Sequence, residues 1–196
     1  MQLYEVIYDD SLWLINLVEN LLSVTRIEDG KMNLHLETEL IEEVINEALN
    51  HISHKKDEHR IEVKANDEFI LAKIDAGLII QVIINIVDNA IKYTPKGSMI
   101  SIETFKHKDF VEIQIADDGA GISDKDKEKL FEMFYTVKHE VIDGRRGLGL
   151  GLALCKAIIV AHGGNIAVKD NIPHGTIFSF TLPINCLLYT SPSPRD

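Results

Sequence analysis

The chain has 196 residues, 45% of them hydrophobic and 26% charged, with a formal net charge of −11. This describes one globular domain, or one with an appendage, that buries a core without disulfides. The acidic balance excludes a nucleic-acid binder, which needs a basic stripe, and argues against an anionic membrane surface as main partner.

Cys155 and Cys186 are the only cysteines. They encode no disulfide framework or zinc cluster and fit a reducing cytoplasmic setting. The most apolar stretch, Leu78 to Ile91, is interrupted by Gln81, Asn85, Asp88 and Asn89. It falls short of the about 20 mostly apolar residues of a membrane span. Met1 to Ser11 is acidic where a signal peptide needs a basic start, so the chain reads as soluble.

Over residues 3–28, Leu3, Val6, Ile7, Leu14, Leu17, Val18, Leu21, Leu22, Val24 and Ile27 recur at helical spacing, and Asp29-Gly30 supplies a stop. One helix cannot bury so wide a stripe alone: it either packs against the domain that follows or forms half of a dimerising helical hairpin, and the hairpin is favoured. Met32 to Glu37 alternates like an edge strand. Residues 39–54 read as an amphipathic helix with Ile41, Val44, Ile45, Ala48, Leu49 and Ile52 on one face. Ile61–Lys64 and Phe69–Ala72 read as strands separated by an Asn66-Asp67 turn. Asp75 then caps a long helix ending near Thr94-Pro95. Strands at 98–105 and 110–116 form a hairpin, and a Gly- and charge-rich region covers 117–151. A helix runs to about His162, where Gly163-Gly164 ends it. Strands at 165–170 and 175–182 follow. Hairpin-paired strands with helices between them predict an α+β fold, a two-layer α/β sandwich. Residues 186–196 carry two Ser-Pro steps and no periodicity, and read as a disordered tail of non-native character.

Within the helix from 76 to 93, Asn85, Asn89 and Lys92 fall within about 60° of one another. A merely solvated face would favour Glu, Lys and Arg, because Asn is a poor helix former. An Asn carbonyl oxygen can bind a hard cation such as Mg²⁺, and Lys92 can neutralise phosphate oxygens. The second element is Asp117-Asp118-Gly119-Ala120-Gly121-Ile122, directly after a strand. There a carboxylate can accept from an exocyclic amine, and glycines let backbone approach a flat ring. The third is Gly147-Leu148-Gly149-Leu150-Gly151, opening an apolar helix. Its N–H groups and helix dipole suit a phosphate, although no Walker or Rossmann context surrounds it. Between the last two, Phe131 to Arg146 is long and charged enough for a mobile lid.

In this order and spacing the three elements resemble the Bergerat-fold ATP-binding domain of sensor histidine kinases. Asn85-Ile-Val-Asp-Asn89-Ala-Ile-Lys92-Tyr93-Thr94 resembles the N box and Asp117-x-Gly119-x-Gly121 the G1 box. Phe131-Glu-Met-Phe134 resembles the F box and Gly147 to Gly151 the G2 box. The likeness covers residues 10–184, and the wording of Trp13–Leu22, Ile86–Pro95 and Gly149–Cys155 is nearest the Kdp-type potassium-responsive sensor kinases. The resemblance implies ATP and Mg²⁺ as ligands. Asn89 would bind Mg²⁺, with Asn85 beside it near the phosphates. Lys92 would contact phosphate and Tyr93 would pack near adenine. Asp117 would accept from adenine N6, with Gly119, Gly121 and Ile122 shaping the base pocket. Arg146, Gly147, Leu148, Gly149, Leu150 and Gly151 would hold the triphosphate, the role of Arg146 being the least regular, and Thr176 would assist at the base end.

The resemblance also divides the chain. Residues 1–29 would be the second helix of a dimerisation and histidine-phosphotransfer hairpin whose first helix is absent. Residues 30–185 would be the ATP-binding catalytic domain, and 186–196 the tail. None of the eight histidines has the His-Asp/Glu context of a phosphoacceptor, so the acceptor is expected upstream. Full-length relatives form homodimers and pass the phosphoryl group to a response-regulator aspartate. This fragment would be the cytoplasmic portion of a membrane-anchored sensor, without nucleic-acid or direct membrane contact. Relatives that hydrolyse ATP, of the gyrase, Hsp90 or MutL type, need a glutamate one turn before the metal-binding asparagine. Asn85 stands there, and an amide cannot take up a proton. A non-enzymatic ATP-dependent interaction module stays open, although the intact stripe speaks against a dead pocket.

Overall fold

The computed structural model describes Val18 and residues 34–52, 59–64, 69–137 and 149–184. The expectations for the helix at 3–28 (apart from Val18, which is helical), Met32 and Asn33, the Asn66-Asp67 turn and the tail at 186–196 lie outside the described residues.

Strand β1 (Glu37–Leu40) leads into helix α1 (Ile41–His51), followed by β2 (Arg60–Lys64) and β3 (Leu71–Ile74). Helix α2 (Ala76–Tyr93), strands β4 (Met99–Lys106) and β5 (Phe110–Asp117) and the single-turn helix α3 (Asp124–Lys127) come next. Helix α4 (Gly151–Ala161) and strands β6 (Ile166–Asp170) and β7 (Thr176–Pro183) complete the described order. The main sheet has five strands in the order β2-β4-β5-β7-β6, while β1 and β3 form a separate antiparallel pair.

Alternation explains the layering. β4 buries Ile100, Ile102 and Thr104, β5 buries Val111, Ile113, Ile115 and Asp117, and β7 buries Thr176, Phe178, Phe180 and Leu182. With a period of two, each set faces one side of the sheet. On that side lie Ile79, Val82, Ile83, Ile86 and Val87 of α2 and Leu154, Cys155, Ile158 and Ile159 of α4, all in one buried cluster. α2 packs against both α1 and α4. Full burial of one such side chain contributes roughly 1.5–3 kcal/mol, so this cluster fixes where α2 lies on the sheet. Ala76–Tyr93 has the length and mean hydropathy (1.3) of a membrane span, but these contacts make it the core helix of the sandwich.

Three junctions aim α2. Its N-cap is Asp75, whose Oδ1 accepts from the Leu78 N–H at 3.3 Å. The Asp75 N–H donates to His162 Nε2 at 3.1 Å, and His162 Nδ1 donates to the Ile158 carbonyl at 2.8 Å. The start of α2 is thereby tied to the end of α4. At the other end the Thr94 hydroxyl donates to the Ala90 carbonyl at 2.7 Å.

The two-layer α+β expectation holds, with local corrections. The first strand is Glu37–Leu40 rather than 32–37, and α1 begins at Ile41 rather than 39, because Glu39 and Leu40 pair with Ala72 and Leu71. The strand expected at 69–72 is shifted to Leu71–Ile74 by the same pairing. β2 does not pair with β3; it runs parallel to β4, Ile61 opposite Ile100. The charged region after β5 contains α3, capped by Ser123, whose Oγ accepts from the Asp126 N–H at 3.3 Å.

Candidate functional site

α2 connects two groups of predicted site residues. Near its middle, Asn85 lies against the start of α4. A Cβ added to Gly151 would sit 3.7 Å from the Asn85 Cγ and Oδ1. The Asn85 Nδ2 is buried with no hydrogen-bond partner. Its neighbour Cys155 donates from its thiol to the Val82 carbonyl at 3.8 Å, and burial pushes that thiol up to about 12. Asn89 and Lys92 are half-buried further along the helix, and the Lys92 ammonium stands 5.3 Å from the centroid of the exposed Tyr93 ring. Burial raises the Tyr93 hydroxyl above its ordinary range.

The glycine-rich turn is described from Gly149 onward; Arg146, Gly147 and Leu148 lie outside the described residues. Leu150 is the N-cap of α4 and offers no side-chain cap, so the first-turn N–H groups gain no cap from it. Gly149 has φ +68°, and a Cβ there would meet the Tyr135 carbonyl oxygen at 2.4 Å. Only glycine fits both the left-handed conformation and that approach. The Phe134 N–H donates to the Gly149 carbonyl at 3.0 Å, Phe134 itself having φ +62°. Phe131 anchors this segment edge-on against Phe178, ring centroids 6.5 Å apart. The rest of the mobile-lid expectation, 138–146, lies outside the described residues.

At the far end of α2 the base-end residues meet. Asp117 is 7% exposed, and its Oδ1 accepts from the Gly119 N–H at 2.9 Å and the Thr176 N–H at 3.2 Å. Burial pushes this carboxyl above the usual carboxylate range; the two N–H bonds oppose that shift, and nearby Asp118 adds to it. Gly119 lies on Thr94, where a Cβ would stand 2.8 Å from the threonine Cγ2. A Cβ on Gly121 would stand 3.2 Å from the Gly175 carbonyl oxygen. Ile122 packs half-buried against the core.

Three contributors went unread in the sequence. His59 Nε2 stands 3.0 Å from the Thr94 Oγ1. Asn171 Nδ2 donates to the Asp117 carbonyl at 2.8 Å, and His174 Nδ1 donates to the Asp118 carbonyl at 2.8 Å. The only signal for the last two was a turn-like Asn-Ile-Pro-His-Gly run, which says nothing of partners more than fifty residues away.

These groups can do two kinds of chemistry. The buried carboxylate can recognise a hydrogen-bond donor on a flat ring. The stripe of Asn85, Asn89 and Lys92, which meets the uncapped start of α4 at Asn85, offers amide and ammonium groups to an anion. Among the described residues no cluster of His, Cys, Asp or Glu could hold a metal unaided. The oxygen of a carboxamide nevertheless suits a hard cation that keeps phosphate oxygens as its other ligands. The Asn85 amide nitrogen is buried beside the Cys155 thiol, which leaves the amide oxygen as the group this residue can turn toward a ligand.

The sequence pattern of the histidine kinase-, DNA gyrase B-, and HSP90-like ATPases matches residues 74–185. The chain is 43% identical over 182 residues to the sensor protein KdpD of Clostridium acetobutylicum, covering 93% of this chain and 20% of that protein. It thus spans about a fifth of that relative's length. Among solved structures, the catalytic domain of histidine kinase ThkA has a TM-score of 0.68 at 29% identity, covering 76% of this chain and 98% of that one. Histidine kinase ThkA in complex with response regulator protein TrrA has a TM-score of 0.69 at 26% identity, covering 87% of this chain and 49% of that one.

Proposed function

The chain belongs to the histidine kinase-, DNA gyrase B-, and HSP90-like ATPase family and is a histidine kinase ATPase domain, and from that premise we propose that, within a longer sensor kinase, it presents the γ-phosphoryl of Mg-ATP to a histidine on a preceding segment. The observation that carries this reading is the span of α2. One rigid helix runs from Asn85, beside the start of α4, to Thr94, beside the Asp117 carboxylate.

On this reading Asp117 accepts from the adenine amine, Gly119, Gly121 and Ile122 shape the base pocket, Thr176 holds the carboxylate, and Tyr93 packs near the base. Asn89 supplies the carboxamide oxygen to Mg²⁺, and Asn85 and Lys92 face the phosphates. Gly149, Leu150 and Gly151, with Arg146, Gly147 and Leu148, hold the triphosphate. Mg²⁺ held there would neutralise phosphate charge. What the chain's own residues contribute is position and electrostatics, which dominate phosphoryl transfer. Hydrolysis by a protein base at Asn85 is disfavoured, because the amide accepts no proton and its nitrogen is buried beside Cys155.

The remaining parts of the proposal rest on the family resemblance of the sequence motifs. Residues 1–29 form the second helix of a dimerisation hairpin, 30–185 the catalytic domain and 186–196 a tail. The phosphoryl group passes on to a response-regulator aspartate. The longer protein is a membrane-anchored sensor with this part in the cytoplasm, and the resemblance of its motifs to Kdp-type sensor kinases supports potassium or osmotic signalling.

The test uses γ-labelled ATP. The purified chain binds Mg-ATP yet stays unlabelled, and a fragment carrying the acceptor helix becomes labelled when added in trans. Acid-labile label on the chain itself would contradict the placement of the acceptor.

A further inference from the structure

We infer that Asn171 is a positioning residue for base selection, acting through Asp117; this rests on the reading of Asp117 as the adenine-recognising carboxylate. The β5–β7 ladder ends at Ala116 opposite Ile177. Beyond that pair the hydrogen bonding changes character. The Thr176 N–H goes to the Asp117 side chain, at Oδ1, and the Asp117 carbonyl accepts instead from Asn171 Nδ2 at 2.8 Å. The carboxylate and its own main chain are therefore held by one hairpin, at two points.

The hairpin is itself braced. The Asn171 N–H donates to the Gly175 carbonyl at 3.0 Å, and Asn171 Oδ1 accepts from the Ile172 N–H at 3.0 Å. Both polar ends of the carboxamide are used, so its orientation is fixed. Gly175, at φ +116°, lets the loop lie directly on the Asp117 carbonyl, where a Cβ would come within 1.9 Å of the oxygen. Asn171 does not pair with the Asp117 carboxylate; what it sets is the direction from which that carboxylate leaves β5. A hydrogen bond to a ring amine depends strongly on angle. A small rotation of the Asp117 backbone therefore costs base recognition while leaving the phosphate end, carried by α2 and α4, in place.

The experiment compares ATP with purine riboside triphosphate, which lacks the exocyclic amine, each with Mg²⁺ and titrated calorimetrically into the full chain. The wild type prefers ATP, and Asp117→Asn loses that preference. Asn171→Ala lowers the preference by about fivefold, with affinity for the amine-free nucleotide unchanged. A merely structural loss would weaken both nucleotides by the same factor. If Asn171→Ala does so, or changes nothing, while Asp117→Asn lowers the preference, the role of Asn171 is overturned and that of Asp117 stands. If Asp117→Asn keeps the wild-type preference, the reading of Asp117 fails and the inference falls with it. Should Asn171→Ala not fold, Asn171→Ser, whose hydroxyl falls short of the carbonyl, is measured in its place against the same outcomes.

Discussion

At the base end of the pocket Asp117 is held by N–H groups of Gly119 and Thr176 and, through its carbonyl, by Asn171. At the phosphate end Asn85 keeps a buried amide nitrogen with no hydrogen-bond partner. One end is complete before any ligand arrives, whereas the other is held in place by the packing of α2 on α4 and leaves polar capacity unspent. A preorganised carboxylate gives selectivity at little ordering cost. A donor buried without a full hydrogen bond costs stability. The difference implies that substitutions at the base end change which nucleotide binds, and those at the phosphate end change how tightly the triphosphate is held.

The largest effect is expected at the phosphate end, where the glycine turn meets the backbone of Phe134 and Tyr135. Gly149→Ala puts a methyl group in a left-handed conformation and against the Tyr135 carbonyl oxygen at 2.4 Å. Strain and overpacking together cost on the order of 3 kcal/mol, and the 131–135 segment must move. Chemical denaturation should show that loss, with Mg-ATP binding abolished. Unchanged stability would mean that this segment does not clamp the glycine turn.

A smaller loss is expected at the base end, where α2 stops. Thr94 is 3% exposed; its hydroxyl donates to Ala90 and meets His59, while its methyl lies against Gly119. Thr94→Val keeps the shape and removes both hydrogen bonds, so a loss of about 1–3 kcal/mol is expected in urea melts. Adenosine binding should weaken with it. A variant as stable as wild type would show that neither hydrogen bond of the Thr94 hydroxyl contributes.

The smallest effect concerns charge at the base end. Burial raises the Asp117 pKa in the folded chain, so the native state favours the protonated form. The stability this contributes is fully present below the ordinary aspartate range and is lost as pH rises through the raised folded value. Asp117→Asn keeps an Oδ1 acceptor for both N–H groups but cannot ionise. The nucleotide-free variant should therefore gain stability relative to wild type between acid and neutral pH. Melts at a series of pH values check the sign, and a relative loss on raising the pH would show that the two N–H bonds outweigh burial.

What the sequence disclosed follows from range. Asp75, the apolar stripe of α2 and Gly163 are local signals, and the cap, the helix and its neighbour's stop lie where those signals place them. The Asn85, Asn89, Lys92 and Asp117 patterns were legible because helical spacing and a strand end put chemistry in one place. The parallel pairing of β2 with β4 was not, since the intervening strand β3 pairs with β1 in a separate two-stranded sheet. His59, Asn171 and His174 act on a hydroxyl or on carbonyls distant in sequence. Nothing in the spacing of a polar residue in a loop marks such a partner. The short helix at Asp124–Lys127 had a readable signal, Ser123 with Asp126 three residues on, hidden within a run of charge.

The central claim is that one helix joins a base-reading end to a metal-and-phosphate end, and calorimetry on Asn89→Ala and Asp117→Asn, each titrated with Mg-ATP and with adenosine, tests it most directly. Asn89→Ala should weaken Mg-ATP and leave adenosine untouched, while Asp117→Asn should weaken both. If Asn89→Ala weakens adenosine as much as Mg-ATP, Asn89 merely holds α2 in place and the two ends are not separate.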